Sequence, residues 1–217
     1  MPDPCTHSAR IDAILGGAGI VPVLTIEQLD TAAPLAEALL DGGLTVLEVT
    51  LRTPVALEAI GVMSAIAGVT VGAGTILNRA DLKLAAQAGA AFAVSPGCTP
   101  DLYRMAAGSR LPLLPGVASA SEVMLGIEHG FTRFKFFPAR AAGGAAMLKA
   151  WQGPLAKARF CPTGGIDAGN AADYLALDNV LAIGGSWMVP KQALANRDWL
   201  AISEQATSAR QMAASVS

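Results

Sequence analysis

Short apolar runs alternate with longer stretches of mixed polarity through most of the chain. Gly19–Leu24, Thr45–Thr50, Val69–Ala73, Phe92–Val94, Pro112–Leu114, Thr132–Phe137, Arg159–Pro162 and Val180–Ile183 read as buried strands. Between them the spacing predicts helices over Asp30–Leu40, Val55–Ala67, Ala80–Ala88, Pro100–Ala107, from Ser119 to Gly130, Ala145–Trp151 and Gly169–Ala176. A first helix over residues 6–16, with Thr6 or Ser8 as its N-cap and Gly16-Gly17 as its stop, precedes this series. Helical sequence closes it, from about Lys191 to the C-terminus.

The turn markers Gly74, Gly97, Gly116, Pro138, Gly164 and Gly184 recur every 19–26 residues, the length of one strand, one helix and two short loops. Parallel strands with covering helices leave two architectures, an open doubly wound sheet or a closed barrel. Near-equal units without a linker favour closure. The expected fold is therefore α/β, a (β/α)8 TIM barrel with a short N-terminal helix, as one domain over residues 1–217.

Composition narrows the function. Hydrophobic residues make up 53% and charged residues 15%, so the chain can bury a sizeable core and is not disordered. A net charge of −2 offers no basic footprint, and neither nucleic acid nor membrane is an expected partner. Glycines and Pro22 interrupt the apolar run Ala13–Ile26, which is too short to span a bilayer and lacks the flanks of a signal peptide. Three scattered cysteines (Cys5, Cys98, Cys161) suit a reducing, cytoplasmic compartment. With only His7 and His129, a histidine-rich metal site is not expected.

The chemistry concentrates at strand ends, which in a barrel open on one face. In Arg133-Phe134-Lys135-Phe136-Phe137-Pro138 the strand period places Lys135 and Phe137 on one face, with Phe134 and Phe136 on the other. An ammonium group in such apolar surroundings must find partners or lose its proton, and an uncharged amine is a nucleophile for carbonyl carbon. A plain ion pair is the alternative. Glu48, the sole carboxylate inside an expected strand, faces the interior and is the available partner. Arg52, in the loop above, suits a carboxylate, which a guanidinium grips in a fork. Thr75 can hydrogen-bond a substrate oxygen. Thr163-Gly164-Gly165 and Gly184-Gly185-Ser186 end the seventh and eighth units, where barrels often build a phosphate site from backbone N–H groups. Other candidates read as structural: His129 at a helix end, Cys161 as a small core residue, Trp151, Trp187 and Trp199 as packing. Arg133, at the opposite rim from Lys135, is expected to reach solvent or an acid.

Several of these segments resemble signatures of one family. Leu47-Glu48-Val49-Thr50-Leu51-Arg52-Thr53, Val71-Gly72-Ala73-Gly74-Thr75, Ser95-Pro96-Gly97, Phe134-Lys135-Phe136-Phe137-Pro138-Ala139, Cys161-Pro162-Thr163-Gly164-Gly165-Ile166 and Ile183-Gly184-Gly185-Ser186-Trp187 are similar to those of 2-keto-3-deoxy-6-phosphogluconate (KDPG) aldolases, in order, from about Ile11 to Ala195. The resemblance implies a class I aldolase of the Entner–Doudoroff pathway and a homotrimer. Its substrate would be a phosphorylated 2-keto acid, cleaved without metal or cofactor to pyruvate and glyceraldehyde 3-phosphate. It implies Lys135 as the Schiff-base lysine and Glu48 as the acid/base. Arg52 and Thr75 would hold the pyruvate end, with Pro96 lining that pocket. Gly164, Gly165 and Ser186 would form the phosphate end, with Thr163 nearby. Arg140 departs from the family's acidic residue, which puts the sugar-end preference in question, and Cys98 is a second, neutral change. The related 4-hydroxy-2-oxoglutarate and phosphogalactonate aldolases, and a phosphosugar isomerase or phosphometabolite-binding barrel, remain as alternatives.

Overall fold

Capping residues and turn glycines place the element boundaries. In the computed structural model, which describes residues 4–216, helix α1 spans Pro4–Leu15 and strand β1 Gly19–Leu24. A single 3-10 turn, Leu29–Thr31, leads into α2 (Ala32–Asp41), followed by β2 (Val46–Thr50), α3 (Ala56–Ser64) and β3 (Thr70–Gly74). Then come α4 (Arg79–Gln87), β4 (Phe92–Val94), α5 (Pro100–Ala107), β5 (Leu113–Leu114), β6 (Gly116–Val117) and α6 (Ala120–Glu128). The chain continues through β7 (Arg133–Phe136), α7 (Gly144–Trp151), β8 (Arg159–Pro162), α8 (Ala171–Leu175), β9 (Ala182–Gly185), α9 (Lys191–Ala195) and α10 (Trp199–Val216). Asn78 and Thr99 accept the N–H groups of Asp81 and Leu102 at the starts of α4 and α5. Ser119 and Glu122 form a reciprocal capping box at α6, supplying partners to N–H groups that a helix start leaves open.

All strand pairs are parallel. Six strands pair in the order β5-β4-β3-β2-β1-β9 and three in the order β6-β7-β8. Isolated bridges Phe160↔Val180 and Thr163↔Gly184 connect the second group to the first beside β9. The result is a curled parallel sheet with helices outside it. The expected strand Pro112–Leu114 continues past Pro115 and is divided there. Proline has no N–H for the ladder, but its carbonyl still accepts the Lys135 N–H at 2.8 Å, so β5 serves β4 and β6 serves β7.

Strand alternation produces two apolar layers. Leu47, Val49, Phe134, Phe136, Phe160 and Ile183 face the helices in the larger cluster, where Trp151 packs between Phe136 and Phe160. Val21, Val46, Phe92, Leu114, Cys161 and Ala182 form a second cluster that takes in Ile11 and Leu15 of α1. Each large side chain buried this way contributes about 1.5–3 kcal/mol relative to exposure.

Helix α1 starts earlier than the sequence pattern indicates. Ser8 therefore lies inside it and caps nothing; its hydroxyl instead accepts the Thr132 N–H at 3.3 Å. Arg133 does meet an acid. Its guanidinium bonds both oxygens of Asp12, each at 2.6 Å, and ties α1 to the start of β7. The C-terminal helical sequence is also divided: Arg197 takes a left-handed φ of 54° after α9, and Asp198 then accepts the Ala201 N–H at the start of α10. Among the described residues no helix is long and apolar enough to cross a membrane.

Candidate active site

Lys135 and Glu48 meet inside the curled sheet. Lys135 stands on β7 and Glu48 on β2, at positions whose neighbours Phe134, Phe136, Leu47 and Val49 face the helices. Lys135 Nζ donates to Glu48 Oε1 at 3.0 Å, and both side chains are buried, with 6% and 5% exposure. A buried ion pair is costly to assemble, and removing either partner strands the other's charge.

Two neighbours define this pair further. The Phe137 ring lies under the amine, 5.2 Å from ring centroid to Nζ, as their shared strand face requires. Gly74, at the end of β3, leaves the room that the carboxylate occupies: a Cβ there would lie 2.3 Å from Glu48 Oε1. The next residue, Thr75, holds a left-handed φ of 64°, a strained conformation for a branched side chain and one that concentrates at functional sites.

A cleft of about 840 Å³ opens above, lined by Phe137 together with Arg52, Thr163, Gly164, Gly165, Gly184, Gly185 and Ser186. The structure thus brings seven of the expected site residues onto one cleft, with Phe137 shared between it and the buried pair. The Arg52 loop is braced locally. Thr53 Oγ1 donates to the Ile26 carbonyl at 2.5 Å, and Thr50 Oγ1 to the Leu24 carbonyl at 2.9 Å. Gly164 and Gly165 adopt φ of 102° and 75°, which glycine alone takes without strain. Their loop is held by Asn170, whose Nδ2 donates to the Gly165 carbonyl at 3.0 Å.

Lys135, Glu48, Thr75 and Pro96 do not line the cleft; Phe137 is the residue that joins it to the buried pair. The Pro96 backbone abuts Gly116, close enough that a Cβ on Gly116 would lie 2.3 Å from it. Arg140 is not among the lining residues either; its side chain packs against Gly165. The Cys161 thiol is pushed up to about 12, by burial first and by the Glu48 charge second, which suits a core thiol rather than a nucleophile. His129 caps the end of α6 and stacks on Tyr103 at 5.1 Å. Among the described residues no three His, Cys, Asp or Glu side chains converge to hold a metal ion. Sequence reasoning did not single out Gly74 or Phe137 as parts of the site. The signals were present, a glycine one turn position from a candidate Thr and an aromatic two residues from a candidate lysine.

Comparison with known proteins bears directly on this geometry. The family model for KDPG and KHG aldolase matches residues 11–205. The chain belongs to the KDPG and KHG aldolase family. The 2-dehydro-3-deoxy-phosphogluconate aldolase of Pseudomonas aeruginosa is 51% identical over 193 residues, covering 88% of each chain. The KHG/KDPG aldolase of Escherichia coli is 48% identical over 199 residues, 91% of this chain and 93% of that one. Among solved structures, a Legionella pneumophila KDPG aldolase, with pyruvate captured as a covalent carbinolamine intermediate, superposes with a TM-score of 0.88. It is 46% identical, covering 91% of this chain and 96% of that one. Family membership thus covers every element from the end of α1 to the first turns of α10.

Proposed function

We propose that this chain is a class I aldolase that cleaves 2-dehydro-3-deoxy-6-phosphogluconate to pyruvate and glyceraldehyde 3-phosphate, with Lys135 as the Schiff-base residue and Glu48 as the acid/base. The observation that carries the reading is the buried Lys135–Glu48 contact of 3.0 Å beneath a cleft walled by two glycine-rich strand ends. The names of the Pseudomonas and Legionella relatives support it. The fold we associate with it is a closed eight-stranded barrel, β5 and β6 counting as one strand; the two bridges between the sheet groups support closure.

The steps follow from the residue types. An ammonium cannot attack a carbonyl, and Glu48 is positioned to take its proton. The amine of Lys135 adds to C2 of the keto acid to give a carbinolamine. Glu48 returns the proton to the departing hydroxyl, which leaves as water, and an iminium remains. Glu48, directly or through a water, then takes the proton of the C4 hydroxyl. The C3–C4 bonding pair moves into the iminium, glyceraldehyde 3-phosphate departs, and an enamine is left. Glu48 gives its proton to C3, and water hydrolyses the resulting iminium to pyruvate and the Lys135 ammonium, which restores the starting ion pair. Arg52 grips the carboxylate, Thr75 and Pro96 support the pyruvate end from behind the cleft wall, and the strand ends at 163–165 and 184–186 hold the phosphate. Binding energy from that remote end aligns the reacting bond.

Borohydride in the presence of pyruvate tests the reading. A stable pyruvyl adduct should form on Lys135, located by peptide mapping, and Lys135→Ala should lose both the adduct and the cleavage activity. An unchanged mass for the wild-type chain overturns the proposal. The name of the Escherichia coli relative favours a second substrate, 4-hydroxy-2-oxoglutarate. Comparing kcat/KM on the two acids measures that breadth, and no turnover of the shorter acid removes it.

A further inference from the structure

The cleft offers a phosphorylated substrate many hydrogen-bond donors and little charge. Thr163, Gly164, Gly165, Gly184, Gly185 and Ser186 are all neutral. The N–H groups of Gly164, Gly165 and Ser186 and the Ser186 hydroxyl can satisfy phosphate oxygens, the Thr163 N–H being taken by the Phe136 carbonyl; but a phosphate monoester carries about −1.5 to −2 charges at pH 7. Formal charge in the lining comes from Arg52, Lys191 and Arg197, which oppose that of the phosphate, and from Glu27, which adds to it. Arg197 is already balanced, its Nη2 lying 2.5 Å from Asp30 Oδ2. Arg52 stands on the loop after β2 and serves the carboxylate in the reading above.

Lys191 remains. It opens α9, a short way along the chain from Ser186, and the intervening loop is folded back by a Val189 N–H to Ser186 carbonyl bond of 3.1 Å. Among the described residues it has no ion-pair partner. Glu27, in the loop after β1, lines the same cleft and carries the opposite sign. We infer that Lys191 and Glu27 set the preference for phosphorylated over unphosphorylated substrate, the ammonium attracting the dianion and the carboxylate repelling it. This deepens the aldolase reading and rests on it. Both groups are exposed, so they act through a screened field rather than a tight contact, and their effect is expected in KM more than in kcat.

The experiment compares kcat/KM on the 6-phosphorylated acid and its unphosphorylated counterpart, in wild type, Lys191→Gln and Glu27→Gln, at low salt and at high salt. Lys191→Gln should lower the phosphorylated-to-unphosphorylated ratio by roughly 3- to 10-fold at low salt, through KM. Glu27→Gln should raise it by a smaller factor. High salt should bring all three ratios together, since the Debye length falls to about 3 Å at 1 M. Below pH 6, where the phosphate is largely a monoanion, the Lys191→Gln effect should shrink. A ratio that does not move, or that moves by the same factor at every salt concentration, overturns the assignment. Pyruvate trapping on the same samples separates the two failures. Intact trapping and cleavage with unmoved ratios remove only the roles of Lys191 and Glu27. A wild type that neither traps nor cleaves removes the aldolase reading and this inference with it.

Discussion

Gly74→Ala tests whether the placement of one carboxylate, rather than its mere presence, carries catalysis. Gly74 pairs with Thr50 in the β2–β3 ladder, and the Glu48 side chain leans over it. A methyl group at Gly74 would stand 2.3 Å from Glu48 Oε1 and 2.9 Å from both Cδ and Cγ. Restoring ordinary contact requires the carboxylate to move by about 1 Å, a displacement that can cost about 10²-fold in rate. The same movement opens the 3.0 Å contact with Lys135 beyond hydrogen-bonding distance. That loss is about 2.7 kcal/mol of transition-state stabilisation. The stability cost should be smaller, about 1 kcal/mol, because the obstruction is mostly the far end of one side chain. For a chain of this size that lowers the melting temperature by about 2–4 °C. Expected, then, is a folded variant with nearly normal melting and about 1% of wild-type kcat/KM, measured by coupled pyruvate release. Gly153→Ala, where an added Cβ meets nothing within 4 Å, is the control and should match wild type in both assays. Wild-type kcat/KM in Gly74→Ala would show that Glu48 need not sit where this structure places it, and the acid/base role would fall.

Ser186→Ala should raise KM for the phosphorylated acid by roughly tenfold or more, the value of a hydrogen bond to a charged group, and leave the unphosphorylated analogue unaffected. Steady-state kinetics on both substrates decide it, and equal effects on the two count against a phosphate role. His7 is buried, with Nδ1 accepting the Leu113 N–H at 3.4 Å, and burial, then Arg10, holds its pKa below the ordinary value. The unfolded chain therefore binds the proton first. The stability that neutral His7 allows is full above about pH 6.5 and declines as pH falls below that. Melting curves between pH 7.5 and 5.5 should show this decline in wild type and a flatter profile in His7→Gln; parallel profiles would refute it. Burial pushes the Cys98 and Cys161 thiols up to about 12. At pH 8 the thiolate is then about one part in 10⁴, so iodoacetamide should leave both unmodified in the native chain and label both in urea. Peptide mapping that found native labelling at Cys161 would contradict its place in the core.

The features legible in the sequence were those that local stereochemistry determines. Phe92–Val94, Arg159–Pro162 and Pro100–Ala107 begin and end where the apolar runs, Thr99 and the turn residues place them. The strand period of two was enough to set Lys135 on the face of Phe137 and away from Phe134, because a buried sheet tolerates no slip of register. Legibility failed where distant segments decide the outcome. Pro115, without a ladder N–H, divides a strand whose two halves pair with separate neighbours, and Ser8 lies inside a helix that begins at Pro4, its hydroxyl taken by the distant Thr132. Gly74 resembled any turn glycine until Glu48 came to rest against it. The outer cleft shows the same limit more fully. Glu27 stands in the loop after β1 and Lys191 at the start of α9, after β9; those two strands pair only once the first meets the last, so no window of sequence contains both residues. Local pattern therefore reaches the residues that would do chemistry, which are tied to strand ends, while those that would select among substrates depend on how the sheet curls. Selectivity in this chain should accordingly respond to substitutions at those two positions that leave the buried pair untouched.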